Sequence, residues 1–394
     1  MISLCLNTYC QHFRNLFMAN NWAYLIWIGL MAVLFSAMKP TQQESICGRT
    51  ECRTAVWFAA LTFIPIFWCT ATRSLWEGDT GTYKAMFDAC PAALSEASAY
   101  LATTSRDKGY GLWEIIFKSI FGDNFQLFLG FNAFLCSVLL IKTYRRFSCS
   151  YVLSIFLFVA GFEYFQWMFN GMRQFMAVCI ALGCTEDIIN KRYKRIIIPF
   201  IIAASLHMSV LIIIPCLFFV HGKALNRRMG LFAVGVIIVG VILGQTGKLN
   251  DIIANFMQST QYDSVLNEFY ETMNSGTNYL RVLVYLVPTI LAILGRRYIW
   301  QADDPVINFC TNMSIISSGI YIVSMFTSAI MIGRLPIYFS IYNYILLPWE
   351  INHIFEKRSA KLVTSILVVC YLIYNYYQVV VVYNQPFNFG FFAL

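Results

Sequence analysis

The segment Lys191-Arg192-Tyr193-Lys194-Arg195 is followed by IIIPFIIAASLHMSVLIIIPCLFFV, residues 196–220, and then by Lys223, Arg227 and Arg228. How this 25-residue apolar run folds decides the direction of everything after it. A single tilted helix would cross a bilayer, for which about 20 apolar residues suffice, and would place the two basic flanks on opposite sides. Basic residues next to spans collect on the cytoplasmic side, so both flanks belong together. The run therefore reads as a hairpin of two short helices turning near Leu206, His207, Met208 and Ser209. Neither arm can cross lipid alone, so neighbouring spans must shield it, as they shield other broken helices at membrane depth. The alternative, one long span, inverts every later segment and moves Arg296-Arg297 and the group Lys357, Arg358 and Lys361 to the outside.

Composition sets the wider frame. Of the 394 residues, 59% are apolar and 12% charged, against roughly 45–50% and 25% in soluble domains. That excludes a soluble enzyme. Outside the hairpin, spans are expected near 22–38, 55–75, 125–143, 151–168, 172–189, 230–244, 279–294, 305–326, 335–349 and 362–382. The fold class is all-α: a polytopic membrane bundle of about 10 spanning helices plus the buried hairpin. Residues 1–394 form a single membrane domain, with 1–21 an N-terminal extension and the first apolar run an anchor, not a cleaved leader. The 13 cysteines lie mostly in apolar stretches and form no CxxC pair; Cys47 and Cys52 share a short basic loop. They read as small core residues.

With the hairpin in place, 18 of the 28 bases and 8 of the 20 acids fall inside, a balance of +10 there and −2 outside. The positive charge thus orients the chain and does not imply nucleic-acid binding. Two outer loops are long, 76–124 and 245–278, and the inner ones are short, so any chemistry belongs outside. The first loop ends in LWEIIFKSIF, residues 112–121, read as an interfacial helix with a Glu114/Lys118 surface pair. The second reads as polar and partly helical.

Four arginines stand where the orientation rule depletes them: Arg73, Arg173, Arg281 and Arg334, each at the outer end of a span. A guanidinium is a planar fork of five donors suited to phosphate or carboxylate. Several at one depth form an anion site; taken singly, each snorkels to headgroups or pairs with an acid such as Glu77 or Glu163. Asp79, in Glu77-Gly78-Asp79-Thr80-Gly81-Thr82-Tyr83, either accepts a proton from a sugar hydroxyl, holds a sugar, or caps the helix beginning near Thr82. Glu163 lies within a span and needs a partner, for which Arg173 is the candidate. His207, at the hairpin tip, is a proton shuttle, a phosphate donor or a polar turn residue. No Gly-rich phosphate loop, HExxH or Cys/His cluster occurs, so neither a metal nor another cofactor is expected.

Together these residues resemble the EpsG-like branch of the Wzy-type polysaccharide polymerases, from about residue 55 onward. The resemblance rests on Arg73 with Gly78-Asp79-Thr80 and Tyr83, on Asn170-Gly171-Met172-Arg173-Gln174, on Leu206-His207-Met208-Ser209, and on Gly333-Arg334-Leu335 with Tyr338-Phe339. It implies a GT-C-like glycosyltransferase of the bacterial inner membrane. Such an enzyme polymerises undecaprenyl-diphosphate-linked oligosaccharides at the periplasmic or outer face, in capsule, O-antigen or exopolysaccharide synthesis. A chain-length regulator and a flippase are the implied protein partners. The implied catalytic set is His207, Asp79, Arg173 and Arg334. Arg73, Tyr83, Asn170, Gln174, Arg281, Tyr338 and Glu114 are implied on the substrate. Glu77 and residues 1–21 depart from the family pattern.

Three other classes compete. A glycan ligase would use the same lipid-linked donor, although a single large outer loop late in the chain would be expected of it. A secondary transporter would carry mid-depth charges and matched half-repeats, and a structural scaffold would have no need of four outer arginines.

Overall fold

A computed structural model describes residues 22–383 apart from Asn274 and Ile330. The extension assigned to residues 1–21 lies outside the described residues. The chain is mostly helical, with one exception to the all-α expectation. After helix α1 (Trp22–Met38), strands β1 (Thr41–Ile46) and β2 (Arg49–Thr54) pair antiparallel with Ile46 opposite Arg49. Their two-residue connection, Cys47-Gly48, has positive φ at both positions, 48° and 81°, as a tight hairpin requires. The sequence reads as a loop here because the first of these positions carries Cys, where Asn or Asp would signal the turn.

Helix α2 (Val56–Thr72) is followed by three helices that fill the first outer loop: α3 (Thr80–Ala89), α4 (Ala97–Thr103) and α5 (Lys108–Phe121). Then come α6 (Phe125–Phe147), α7 (Tyr151–Ala160), α8 (Glu163–Asn170), α9 (Met172–Gly183) and α10 (Thr185–Ile189). The apolar run with its basic flanks is helix α11 (Tyr193–Leu206), an extended His207 (φ −160°, ψ 110°), a 3-10 turn over Met208–Ile212, and helix α12 (Ile213–Val220). Its ends return to each other. Tyr193 Oη and His221 Nε2 lie 2.9 Å apart across 28 residues of sequence, which a continuous helix would hold roughly 40 Å apart at its fixed rise per residue. The run is a hairpin, and its basic flanks share one end of the bundle.

At that end the expected inner segments knit together through ion pairs: Arg145 with Glu44 at 2.5 Å, Arg146 with Glu186 at 2.9 Å, Arg192 with Asp187 at 2.8 Å, and Arg49 with Asp304 at 3.3 Å. His207 is carried to the other end.

The remaining elements are α13 (Arg227–Gln245), α14 (Lys248–Gln258), α15 (Leu266–Thr272), α16 (Tyr279–Leu294), α17 (Arg296–Ala302), α18 (Pro305–Ser324), α19 (Ile337–Ser340), α20 (Asn343–Ile354) and α21 (Lys357–Tyr376). Helix α21 runs on as a π-helical segment to Val382. Among the described residues, four helices are long and apolar enough to cross a membrane: α6, α13, α18 and the extended α21. Counting the bent pairs α7–α8 (65°) and α16–α17 (69°) as one span each makes six. Other apolar stretches expected to span form shorter helices, either continuous, as α1 and α2 are, or interrupted by breaks. Phe162, for example, sits at φ 64° between α7 and α8. Helix α18 is 89% buried and forms the centre of the bundle, whereas α13, 11% buried, turns most of its apolar surface outward.

The hairpin makes a topological prediction. In a cysteine-free background, Lys191→Cys and Lys223→Cys should react with a membrane-impermeant maleimide from the same side of sealed vesicles. Labelling from opposite sides would contradict the fold.

Candidate functional site

The site is organised by the corner between α8 and α9, where Asn170, Arg173 and Gln174 follow one another within about one helical turn. Each reaches a different connection between helices. Asn170 abuts Gly78: a Cβ there would lie 1.9 Å from Asn170 Oδ1, and Gly78 has φ +55°. This is a position for glycine alone, and it sets Asp79 beside the corner. Arg173 Nη1 pairs with Asp107 Oδ2 at 3.1 Å, with its guanidinium above the Tyr83 ring at 5.9 Å. Gln174 Nε2 donates to the Arg334 carbonyl at 3.4 Å, so the third loop, just before α19, is held as well.

Asp107 carries the feature that sequence reasoning missed. It lies just ahead of α5 in the left-handed region (φ 53°), and its side chain is 1% exposed. The same Oδ2 that meets Arg173 is 3.2 Å from His207 Nδ1. Its backbone N–H donates to Gln261 Oε1 of the second outer loop at 3.0 Å, and Tyr262 stands edge-on to His207. Beside His207, Ser209 Oγ and Tyr338 Oη are 2.8 Å apart. Nothing in the local sequence separates Asp107 from other loop carboxylates, because its partners are 66 and 100 residues away.

The four outer arginines have different fates. Arg334 is exposed, its guanidinium over the Trp167 ring at 5.0 Å, and among the described residues it has no carboxylate within ion-pair distance. Arg173 is partly exposed and paired with Asp107. Arg73 is 4% exposed; it donates to the Met168 carbonyl and reaches Met172 Sδ at 3.0 Å, so it braces the corner from behind. Arg281 does not join them. It pairs with Glu163, which also accepts from Tyr321 Oη at 2.8 Å. The partner expected for Glu163 was Arg173; the fold instead puts the start of α16 against the start of α8.

Asp79 feels Arg334, Arg173 and Arg73 together with Glu268 of the second outer loop. Partial shielding from solvent raises its carboxyl above the usual range, the arginines oppose that, and Glu268 adds to it. Next to it, Glu77 is pushed up to about 7, mainly by burial. Tyr83 and Tyr338 are buried.

Glu114 departs from the expected surface pair with Lys118. The helix expected there exists as α5, but Lys118 Nζ turns to the Cys90 carbonyl (2.9 Å) and to Asp123 (3.3 Å). Glu114 is fully buried, both its oxygens lack partners, and burial pushes it up to about 8. The face of α5 that carries it packs inward, with Phe117 of that face clustered on Phe87 and Phe128. It is enclosed by the packing of α5, within electrostatic reach of Arg173. Among the described residues no cluster of His, Cys, Asp and Glu could hold a metal.

A family model described as the EpsG family matches residues 56–392. No curated protein and no solved structure matches the chain.

Three outcomes follow from this geometry. Gly78→Ala should lower stability and activity together, since both backbone and contact forbid it; a neutral effect on melting and turnover would refute the docking of that loop. Arg281→Met leaves Glu163 buried without a cation and should cost about 3–5 kcal/mol, whereas adding Glu163→Gln should recover much of the loss; chemical denaturation of the single and double variants measures it. For Glu114, a carboxyl raised in the folded state stabilises below its ordinary value of 4.5 and loses that contribution as pH rises to about 8. Glu114→Gln should therefore flatten the fall in melting temperature over that interval, and an unchanged slope would count against it.

Proposed function

The chain belongs to the EpsG family, and on that premise we propose that it is a membrane glycosyltransferase. It polymerises polyprenyl-diphosphate-linked oligosaccharide units, with its site at the outer face of a bacterial cytoplasmic membrane. In this reading the full bundle has about ten membrane segments in a GT-C-like arrangement, several of them short or bent. The observation that carries the proposal is the convergence of Arg173, Arg334, Asp79 and His207 at the end of the bundle opposite the basic cluster. Asp79 and Arg334 are open to solvent there, and Arg173 and His207 partly so.

The reaction suits these groups. The acceptor hydroxyl attacks the anomeric carbon of the donor glycan, the bond from that carbon to the diphosphate oxygen breaks, and its electron pair leaves on the diphosphate. Arg334, with no acid partner, and Arg173, partly open, supply forked donors where that charge develops. His207 accepts the acceptor's proton at Nε2, its Nδ1 being engaged by Asp107. The negative field of Asp79 stabilises the positive charge that builds at the sugar as the leaving group departs. Arg73 holds the corner from behind, with Asn170 and Gln174 as its loop anchors. The carrier is proposed as undecaprenyl diphosphate, and a flippase and a chain-length regulator as partners.

Purified protein in nanodiscs, given a defined lipid-linked repeat unit, should extend it. Arg334→Ala should slow extension by roughly 10²-fold or more, and Arg334→Lys should restore little because the planar fork is lost. Wild-type rates in Arg334→Ala would refute the site. Attachment to a non-glycan acceptor without chain growth would replace the polymerase reading with a ligase.

A further inference from the structure

Asp107 is built into the site with unusual care for a loop carboxylate. Its backbone is left-handed, its N–H is held by Gln261, its Oδ1 is buried without a partner, and its Oδ2 alone serves both Arg173 and His207. The start of α5 is pressed so closely on the end of α11 that a Cβ at Gly109 would fall 2.4 Å from Ser205 Cβ. This contact brings Asp107 beside His207, two residues beyond Ser205. A carboxylate on Nδ1 holds the imidazole with its proton there, leaving the Nε2 lone pair free.

We propose that Asp107 is a positioning residue that couples recognition of the donor diphosphate to deprotonation of the acceptor. This rests on the reading of Arg173 as a diphosphate ligand and His207 as the base. Before the donor binds, Oδ2 divides its hydrogen-bonding capacity between the guanidinium and the imidazole. A diphosphate at Arg173 draws the guanidinium toward itself, and Oδ2 is left to His207. The imidazolium formed when Nε2 takes the acceptor proton then faces an undivided carboxylate. The other groups around the histidine do not replace it: the Tyr262 ring is in T-shaped contact at 6.4 Å between centroids and brings no carboxylate, Arg173 is the cation being withdrawn, and Ser209 is engaged with Tyr338. Arg106, within electrostatic reach of Tyr262, is a second cation and also leaves Asp107 as the acid of the pair.

The test separates binding from turnover. Asp107→Asn, His207→Gln and the double variant are reconstituted in nanodiscs and given the lipid-linked repeat unit. Donor affinity is measured by equilibrium binding and the rate at saturating donor by single turnover. Asp107→Asn should lose roughly 10²–10⁴-fold in rate with donor affinity unchanged or tighter. Asp107→Glu should regain part of the rate, and the double variant should be no slower than His207→Gln, because residues acting as one unit are not additive. A wild-type rate in Asp107→Asn, or a loss confined to donor affinity, overturns the coupling and leaves the proposed function standing. Normal turnover by His207→Gln instead overturns the assignment of the base on which the coupling rests.

Discussion

The α8–α9 corner is the constraint on which the site depends. A helix turn is stiff, and side chains at its start fan out in fixed directions. By spending Asn170, Arg173 and Gln174 on three different connections between helices, two in the first outer loop and one before α19, the chain gives separate segments one common reference. Loops at a protein surface are ordinarily its most mobile parts. Here each is pinned by a contact that tolerates little change, the tightest being Asn170 against a glycine with positive φ. Catalytic groups need to be held within a fraction of an ångström of a working geometry, and this corner is the element able to do that at the end of a bundle of short and broken helices.

Charge is sorted with similar economy. Arg281 and Glu163 neutralise one another in a half-buried pair supported by Tyr321, where either alone would be costly. Arg73 spends its donors on a backbone carbonyl and a sulfur. Among the described residues Arg334 is left without an acid at ion-pair distance, and Arg173 shares its own with a histidine. A guanidinium over an indole ring, open to solvent, near a carboxylate whose proton affinity partial shielding has raised and without an acid partner among the described residues, suits the anion site proposed here. A purely structural arginine would be expected to find its partner within the fold.

Much of this was legible in the sequence, and the reasons differ by feature. The hairpin could be read because charge at both flanks of Ile196–Val220 constrains topology more strongly than apolar length does. The exceptional depth of the arginines could be read for the same reason. Which acid each one meets could not, because a sequence gives the depth of a residue and not the neighbour of its helix. Glu163 therefore belongs with Arg281, and Asp107, with no motif around it, is distinguished only by His207 and Arg173 on either side of it. Glu114 failed differently: spacing of four residues allows a pair with Lys118, but the aromatic packing of α5 turns the acid inward. The β-hairpin escaped because Cys-Gly is a rare way to write a tight turn.

The central claim is that Arg173 and Arg334 receive one diphosphate. An experimental structure of the protein in nanodiscs with a polyprenyl diphosphate bound tests it directly. The account predicts diphosphate oxygens about 3 Å from both guanidinium groups, with His207 facing the acceptor side. A diphosphate seated at Arg281, or at the opposite end of the bundle among Arg49 and Arg53, would contradict it.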